Sequence, residues 1–297
     1  MSLAERWPSA HWYTRLMHAA LSPYATNLNP FASLWRHRRL IARLARRDLA
    51  ARWRGSLLGP IWAIATPLAT LAIYGFAFGT VLRARIPTGS DGATSAASHA
   101  PYVVLLFSGL IFVHLFTEVV QAAPSLVRNN LVYVRQIVFP IEVLSAVSVV
   151  CALFGTAMSM AVLFLAHFVL AGVPPLTALW LPFLAIPVAL FALGASWALS
   201  ALGLHVRDLA QLVGLGCTAV LFTSTVFYAL DAVPPAFQWI VRLNPASTIV
   251  DASRSALFGG SAPDVLALAV VTGVGLSVCL LGYAAFMRAR SGFADVA

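Results

Sequence analysis

Six long apolar stretches decide what this chain can become. They run over 57–82, 101–123, 141–171, 177–204, 212–230 and 264–287. Each approaches the roughly 20 apolar residues needed to cross a bilayer as a helix. Within a bilayer every backbone N–H and C=O needs an internal partner, so such stretches must be helical. The breaks between them are short: a Gly/Ser/Thr-rich loop at 83–100, then 124–140, a tight GVPPL turn at 172–176, and 205–211. A water-soluble reading fails on composition. The chain has 297 residues, 60% hydrophobic and only 10% charged, where soluble domains carry about 25% charged residues.

The net charge of +9 comes entirely from arginine, since lysine is absent. Its placement argues for membrane orientation rather than nucleic-acid binding, because ten of the 19 arginines precede the first apolar stretch. With six spans, 15 arginines fall on the side of the two termini. The other side holds four, Arg83, Arg85, Arg242 and Arg254. The positive-inside rule therefore puts both termini in the cytoplasm. The expected fold is an all-α integral membrane protein. Residues 1–30 form an N-terminal extension, 31–56 an amphipathic interface helix, 57–287 a six-span domain and 288–297 a cytoplasmic tail.

On a helical wheel of 34–54, Leu34, Leu40, Ile41, Leu44, Ala45 and Leu49 share one face. Arg36, Arg39, Arg43, Arg46, Arg47 and Arg54 share the other, with Arg38, Arg52 and Asp48 off the pattern. Such a helix suits the membrane interface, apolar side down and arginines toward anionic headgroups. The plainer alternative is a charge cluster that only fixes topology. Gly55 and Gly59-Pro60 suit a sharp turn into the first span. Segment 231–263 is too polar to span. It reads as two short amphipathic helices broken at Asn244-Pro245, because proline disfavours helix in the preceding residue.

The chemistry motifs are negative. A chain without lysine has no GxxxxGK[ST] phosphate loop, and there is no HExxH or GxSxG. Cys151, Cys217 and Cys279 lie in apolar runs and read as small buried hydrophobes. His114, His167, Glu118 and Glu142 are too few for an ion-coupled carrier, which needs charged groups deep in its spans. His167 reads as a packing residue and Glu118 as a group near headgroup water. The result is a conduit without its own source of energy. A membrane-embedded glycosyltransferase would need paired acids at a membrane face, and a simple anchor would not need segments 124–140 or 231–263.

Three segments carry a family resemblance: RRDLAARWRGSLLGPIWAIATPL at 46–68, RNNLVYVRQIVFPIEVLS at 128–145 and LNPASTIVDASRSALFG at 243–259. They resemble, in order, signature regions of the ABC-transporter permeases that export polysaccharides such as O-antigen or capsule. The resemblance covers most of 31–287. It implies an inner-membrane homodimer bound to two copies of a separate ATPase, which would hold the ATP and Mg, while this chain binds no cofactor. It implies movement of a lipid-linked glycan from cytoplasm to periplasm. Capsule, teichoic-acid-like polymer, lipo-oligosaccharide or drug export are the alternatives.

The resemblance also implies roles. Loop 124–140 would couple to the ATPase through Arg128, Asn129, Asn130, Tyr133, Arg135, Gln136 and Glu142, with a second contact at the interface helix through Arg43, Arg46, Arg47 and Arg54. The first and fifth spans would line a channel at the dimer interface. Trp62, Tyr74, Phe76, Phe78, Phe222, Phe227 and Tyr228 are the candidate sugar-stacking rings there, although packing or interfacial belts also use aromatics. Segment 231–263 would hold short re-entrant gate helices, with Phe237, Trp239, Arg242 and Arg254, either arginine being a candidate to meet a diphosphate.

Overall fold

A computed structural model describes residues 29–81, 99–130, 139–206, 208–259 and 262–290. All regular structure among them is helical. The N-terminal segment forms α1 (Pro30–Arg36) and α2 (Arg38–Trp53). Then come α3 (Trp62–Tyr74), continued as a π-helix to Val81, α4 (His99–Leu126) and α5 (Val143–Ala171). They are followed by α6 (Leu181–Leu202), α7 (Leu209–Phe222), α8 (Gln238–Leu243), α9 (Pro245–Arg254) and α10 (Val265–Ala289).

Among the described residues five segments are long and apolar enough to span: Gly59–Phe78, Tyr102–Leu126, Val143–Ala171, Leu176–Leu202 and Val265–Ala289. These match five of the six expected stretches within a few residues at their ends. The stretch expected over 212–230 differs. Its helix α7 has 14 residues, about 21 Å at 1.5 Å per residue, against a hydrocarbon core of about 30 Å. The chain then breaks at Thr223.

α4 is the central helix. Of its most apolar stretch 78% is buried, against 6% for the first span. Leu106, Leu110, Leu115 and Phe112 disappear between neighbouring helices. α6 and α10 cross at glycines. A Cβ on Gly282 would stand 2.1 Å from the Gly194 carbonyl oxygen, so only glycine fits there. Close approach through small residues is the usual means of packing apolar helices where lipid supplies no hydrophobic drive. Trp197 fills the adjoining interior edge-on to Tyr283, with centroids 4.9 Å apart.

The interface segment departs from the expected single helix. His37 separates α1 from α2, and Asn29 caps α1 by accepting the Phe31 N–H at 3.1 Å. The apolar stripe is present, but Ile41, Leu44 and Ala45 are buried against the protein, where Cys151 of α5 lies on the Ala45 carbonyl. Protein thus covers the face expected to meet lipid. Gly55 (φ +83°) and Gly59 (φ +52°) make the turn into α3, left-handed conformations that side chains rarely adopt. The reading of 141–171 as one long stretch holds as an unbroken 29-residue helix.

Candidate functional site

The two ends of the bundle are built differently. At the end where α3 finishes and α4 begins, aromatic rings from three regions meet. Phe78 stacks on Phe227 with centroids 5.6 Å apart, and Phe222 stacks on Phe227 at 5.5 Å. Tyr74 lies 6.1 Å from Phe78 and 6.3 Å from Phe227, and Tyr102 lies 6.4 Å from Phe78. Four of the seven rings expected in the channel therefore form one cluster that ties the first span to the segment after α7. Tyr102 was not foreseen. Phe76 points away and is exposed, and Trp62 lies at the other end of α3. The Tyr228 hydroxyl donates to the Phe222 carbonyl.

The break after α7 is held by side chains. Ser224, Thr225 and Val226 are buried, and buried carbonyls need donors. Asn244 donates to the Val220 carbonyl at 2.8 Å, Arg254 to Val226 at 2.7 Å and Tyr102 to Phe227 at 3.1 Å. Thr225 donates to Asp251 at 2.8 Å, and Asp251 lies 3.8 Å from Arg254. The expected break at Asn244-Pro245 is present, with Asn244 capping α9. Arg254 thus spends its guanidinium on the protein's own backbone and on Asp251. Arg242, Phe237 and Trp239 are exposed.

The arginine-rich end carries a buried acid. Glu142 is 4% exposed, at the start of α5. Its carboxylate accepts from Ser33 of α1 at 3.1 Å and faces Arg290 at 3.7 Å. Its backbone carbonyl accepts from the Trp197 indole at 3.0 Å. The acid of the Phe-Pro-x-Glu motif thus fastens α1, α5, α6 and the end of α10 together from inside. It presents no carboxylate at the surface.

The other coupling candidates divide. Arg128 donates to the Gly203 carbonyl at 3.1 Å, bracing the α6–α7 connection. Asn130 donates to the Leu126 carbonyl at 2.8 Å, and Asn129 is exposed. Pro124 to Leu126 still belong to α4. Tyr133, Arg135 and Gln136 lie outside the described residues. In the interface segment Arg43, Arg46 and Arg54 are exposed, and Arg47 pairs with Asp48 at 2.7 Å.

Between α2, α3, α4 and α5 lies a cleft of about 340 Å³. Arg52 of α2 crosses it to Glu118 of α4 at 2.7 Å. Both side chains are about two-fifths exposed, so the pair is worth at most about 1 kcal/mol. It joins the two helices without locking them. The three residues that broke the helical-wheel pattern all have partners: Arg38 lies over the Trp35 ring at 4.8 Å, Asp48 takes Arg47 and Arg52 takes Glu118. Cys151, Cys217 and Cys279 are buried free thiols. Among the described residues no cluster of His, Cys, Asp and Glu could hold a metal ion.

A chain whose described residues form helices throughout their regular structure, five of them membrane-capable, with an arginine-studded helix at one end, is a multi-pass membrane protein. It belongs to the ABC-2 type transporter family, whose model matches residues 39–258. It is therefore a permease-type membrane subunit. The chain is 27% identical over 259 residues to "O-antigen export system permease protein RfbA" of Klebsiella pneumoniae, covering 86% of this chain and 94% of that protein. A protein of the same description from Myxococcus xanthus is 24% identical over 264 residues, covering 88% and 96%.

Proposed function

We propose that the chain is the channel-forming subunit of an ATP-driven exporter that moves a lipid-linked polysaccharide of the O-antigen type from cytoplasm to periplasm. A homodimer of the chain works with two copies of a separate ATP-binding subunit that carries ATP and Mg. It resides in the inner membrane, with both termini and the arginine-rich end in the cytoplasm. α7 with the segment after it serves as the fifth of six crossings, and α8 and α9 form a re-entrant gate at the periplasmic face.

The observation that carries this reading is the first span. It is apolar, almost unburied within its own chain, and carries at one end an aromatic cluster shared with Phe222 and Phe227. A helix left bare by its own chain, with rings at one end, suits a channel wall completed by a second copy. Rings suit a sugar polymer because their faces accept the C–H faces of pyranoses without selecting one sugar. The similarity to O-antigen export permeases over most of both lengths supports the cargo class. The short 3₁₀ turn Arg128–Asn130 and the exposed arginines of α2 support a docking face for the ATPase at the cytoplasmic end.

The test removes the chain from its own cell. Surface glycan should disappear and lipid-linked glycan should accumulate on the cytoplasmic side, both reversed by the wild-type chain. Affinity purification should recover a P-loop ATPase in equal amount. Unchanged surface glycan in the deleted cell would overturn the cargo. Replacing Tyr133 and Arg135 together with Ala should lower transport-coupled ATP hydrolysis while leaving membrane insertion intact.

A further inference from the structure

α4 is the most enclosed spanning helix, yet His114 and Glu118, one turn apart, are exposed. Both open into the cleft bounded by α2, α3, α4 and α5 of a single chain. We propose that this cleft binds a neutral pyranose unit, at the end of the molecule opposite the aromatic cluster, and that the bound sugar bridges the interface helix α2 to α4. The proposal rests on the glycan-export reading.

Size comes first. A volume of about 340 Å³ lies at the lower end of the range for small-ligand sites, roughly 300–1,000 Å³. That is room for a ring, not for a polymer. Charge comes second. Arg52 and Glu118 face each other at 2.7 Å and cancel. A phosphate entering the cleft would gain Arg52 only while meeting Glu118, so the pair argues against an anion and for an uncharged ligand.

Hydrogen-bond polarity comes third. Thr70, Thr156 and Ser159 each donate their hydroxyl hydrogen to their own helix, to the carbonyls of Thr66, Ala152 and Gly155. What they turn outward is lone pairs. With the Glu118 carboxylate they give a set of acceptors beside the donors of Arg52 and Trp62. A wall that offers both asks for a ligand that donates and accepts at many points, as a sugar's hydroxyl groups do. An acyl chain would leave these polar atoms without partners.

Stacking surface comes last. Trp53 and Phe154 form one wall, with ring centroids 5.9 Å apart. Trp62 contributes a third ring and is 45% exposed. Carboxylate, hydroxyl oxygens and indole faces together form a sugar-binding set. Because α2 supplies Arg52, Trp53 and Leu49, a ligand seated here touches the helix proposed to face the ATPase and the central helix at once.

The test uses the full chain in lipid nanodiscs prepared without sugar-headed detergent. The probe is hexyl β-D-glucoside, with hexyl phosphate and 1-hexanol as competitors, read by saturation-transfer NMR on the ring protons. The ring protons should receive saturation from the wild-type chain, and neither competitor should displace the probe. Two variants should weaken binding at least about fivefold. Gly155→Leu fills the space directly, since a Cβ there meets only Glu118 Oε2 at 3.8 Å. Trp62→Leu removes a ring from an exposed position, and Trp62→Phe should restore binding.

Absence of ring saturation, or equal saturation in both variants, would overturn the site. Displacement by hexyl phosphate would make it an anion site, and displacement by hexanol an acyl-chain site. Either result overturns the sugar assignment. A chain that exports glycan in cells but gives no ring saturation would refute this cleft and leave the transport reading standing. A chain whose deletion leaves surface glycan unchanged would refute the transport reading instead.

Discussion

The first two spans are neighbours in sequence and both are apolar, yet they live in different surroundings. In α4 78% of the most apolar stretch is enclosed by the same chain; in the span that contains α3 the figure is 6%. Hydrophobicity commits a segment to the membrane. It does not say whether lipid, a second copy or the chain itself will cover it. α4 is a keel enclosed by its own chain, and α3 is a wall that its own chain leaves mostly open.

Substitutions can break that contrast. The largest effect is expected in the block that α4 shares with α6 and α10. Gly282→Leu drives a side chain into the Gly194 backbone and should cost more than about 4 kcal/mol. Size-exclusion chromatography should find no monodisperse protein. Phe112→Ala, at a residue 2% exposed, should cost about 3–5 kcal/mol, seen as a lowered thermal unfolding midpoint in nanodiscs. Arg254→Ala strips the Val226 carbonyl of its donor and should cost about 1–3 kcal/mol by the same measurement. Ile73→Ala, at an exposed position of α3, should change stability of the isolated chain by no more than about 0.5 kcal/mol. A large loss there would mean that the first span is not bare.

Much of this was legible in the sequence because membrane segments announce themselves by composition. Five spans, the Gly55 and Gly59 turn and the Asn244-Pro245 break follow from apolar length, left-handed glycine and proline's effect on its predecessor. The fifth stretch reads as one run because Thr223 to Ala229 are themselves mostly apolar, whereas its helix ends at Phe222. Composition cannot register that the carbonyls of Val220, Val226 and Phe227 are taken by Asn244, Arg254 and Tyr102. Arg254 misled for a related reason: charge alone suggested a ligand, whereas its partners are a backbone carbonyl and Asp251. Glu142 was recognised by motif, but burial beneath α1 depends on three helices distant in sequence.

The Arg52–Glu118 cleft left a fainter trace. Arg38, Asp48 and Arg52 were the residues that spoiled the wheel, and each is where it is because something waits for it. Asp48 takes the adjacent Arg47 and Arg38 the nearby Trp35 ring, so of the three it is Arg52 whose contact reaches a distant helix. The partner of Arg52 sits on another helix, which no pattern within one helix can reveal.

Glu142 has a consequence for the order of events during synthesis. Among the described residues its carboxylate meets Ser33, made before it, and Arg290, made well after it. While the ribosome is still working through α10, this carboxylate has the Ser33 hydroxyl beside it and lacks Arg290. The arginine-rich end can close around this acid only after residue 290 has been made, so a chain truncated before residue 290 leaves α1 resting on a carboxylate that lacks this arginine.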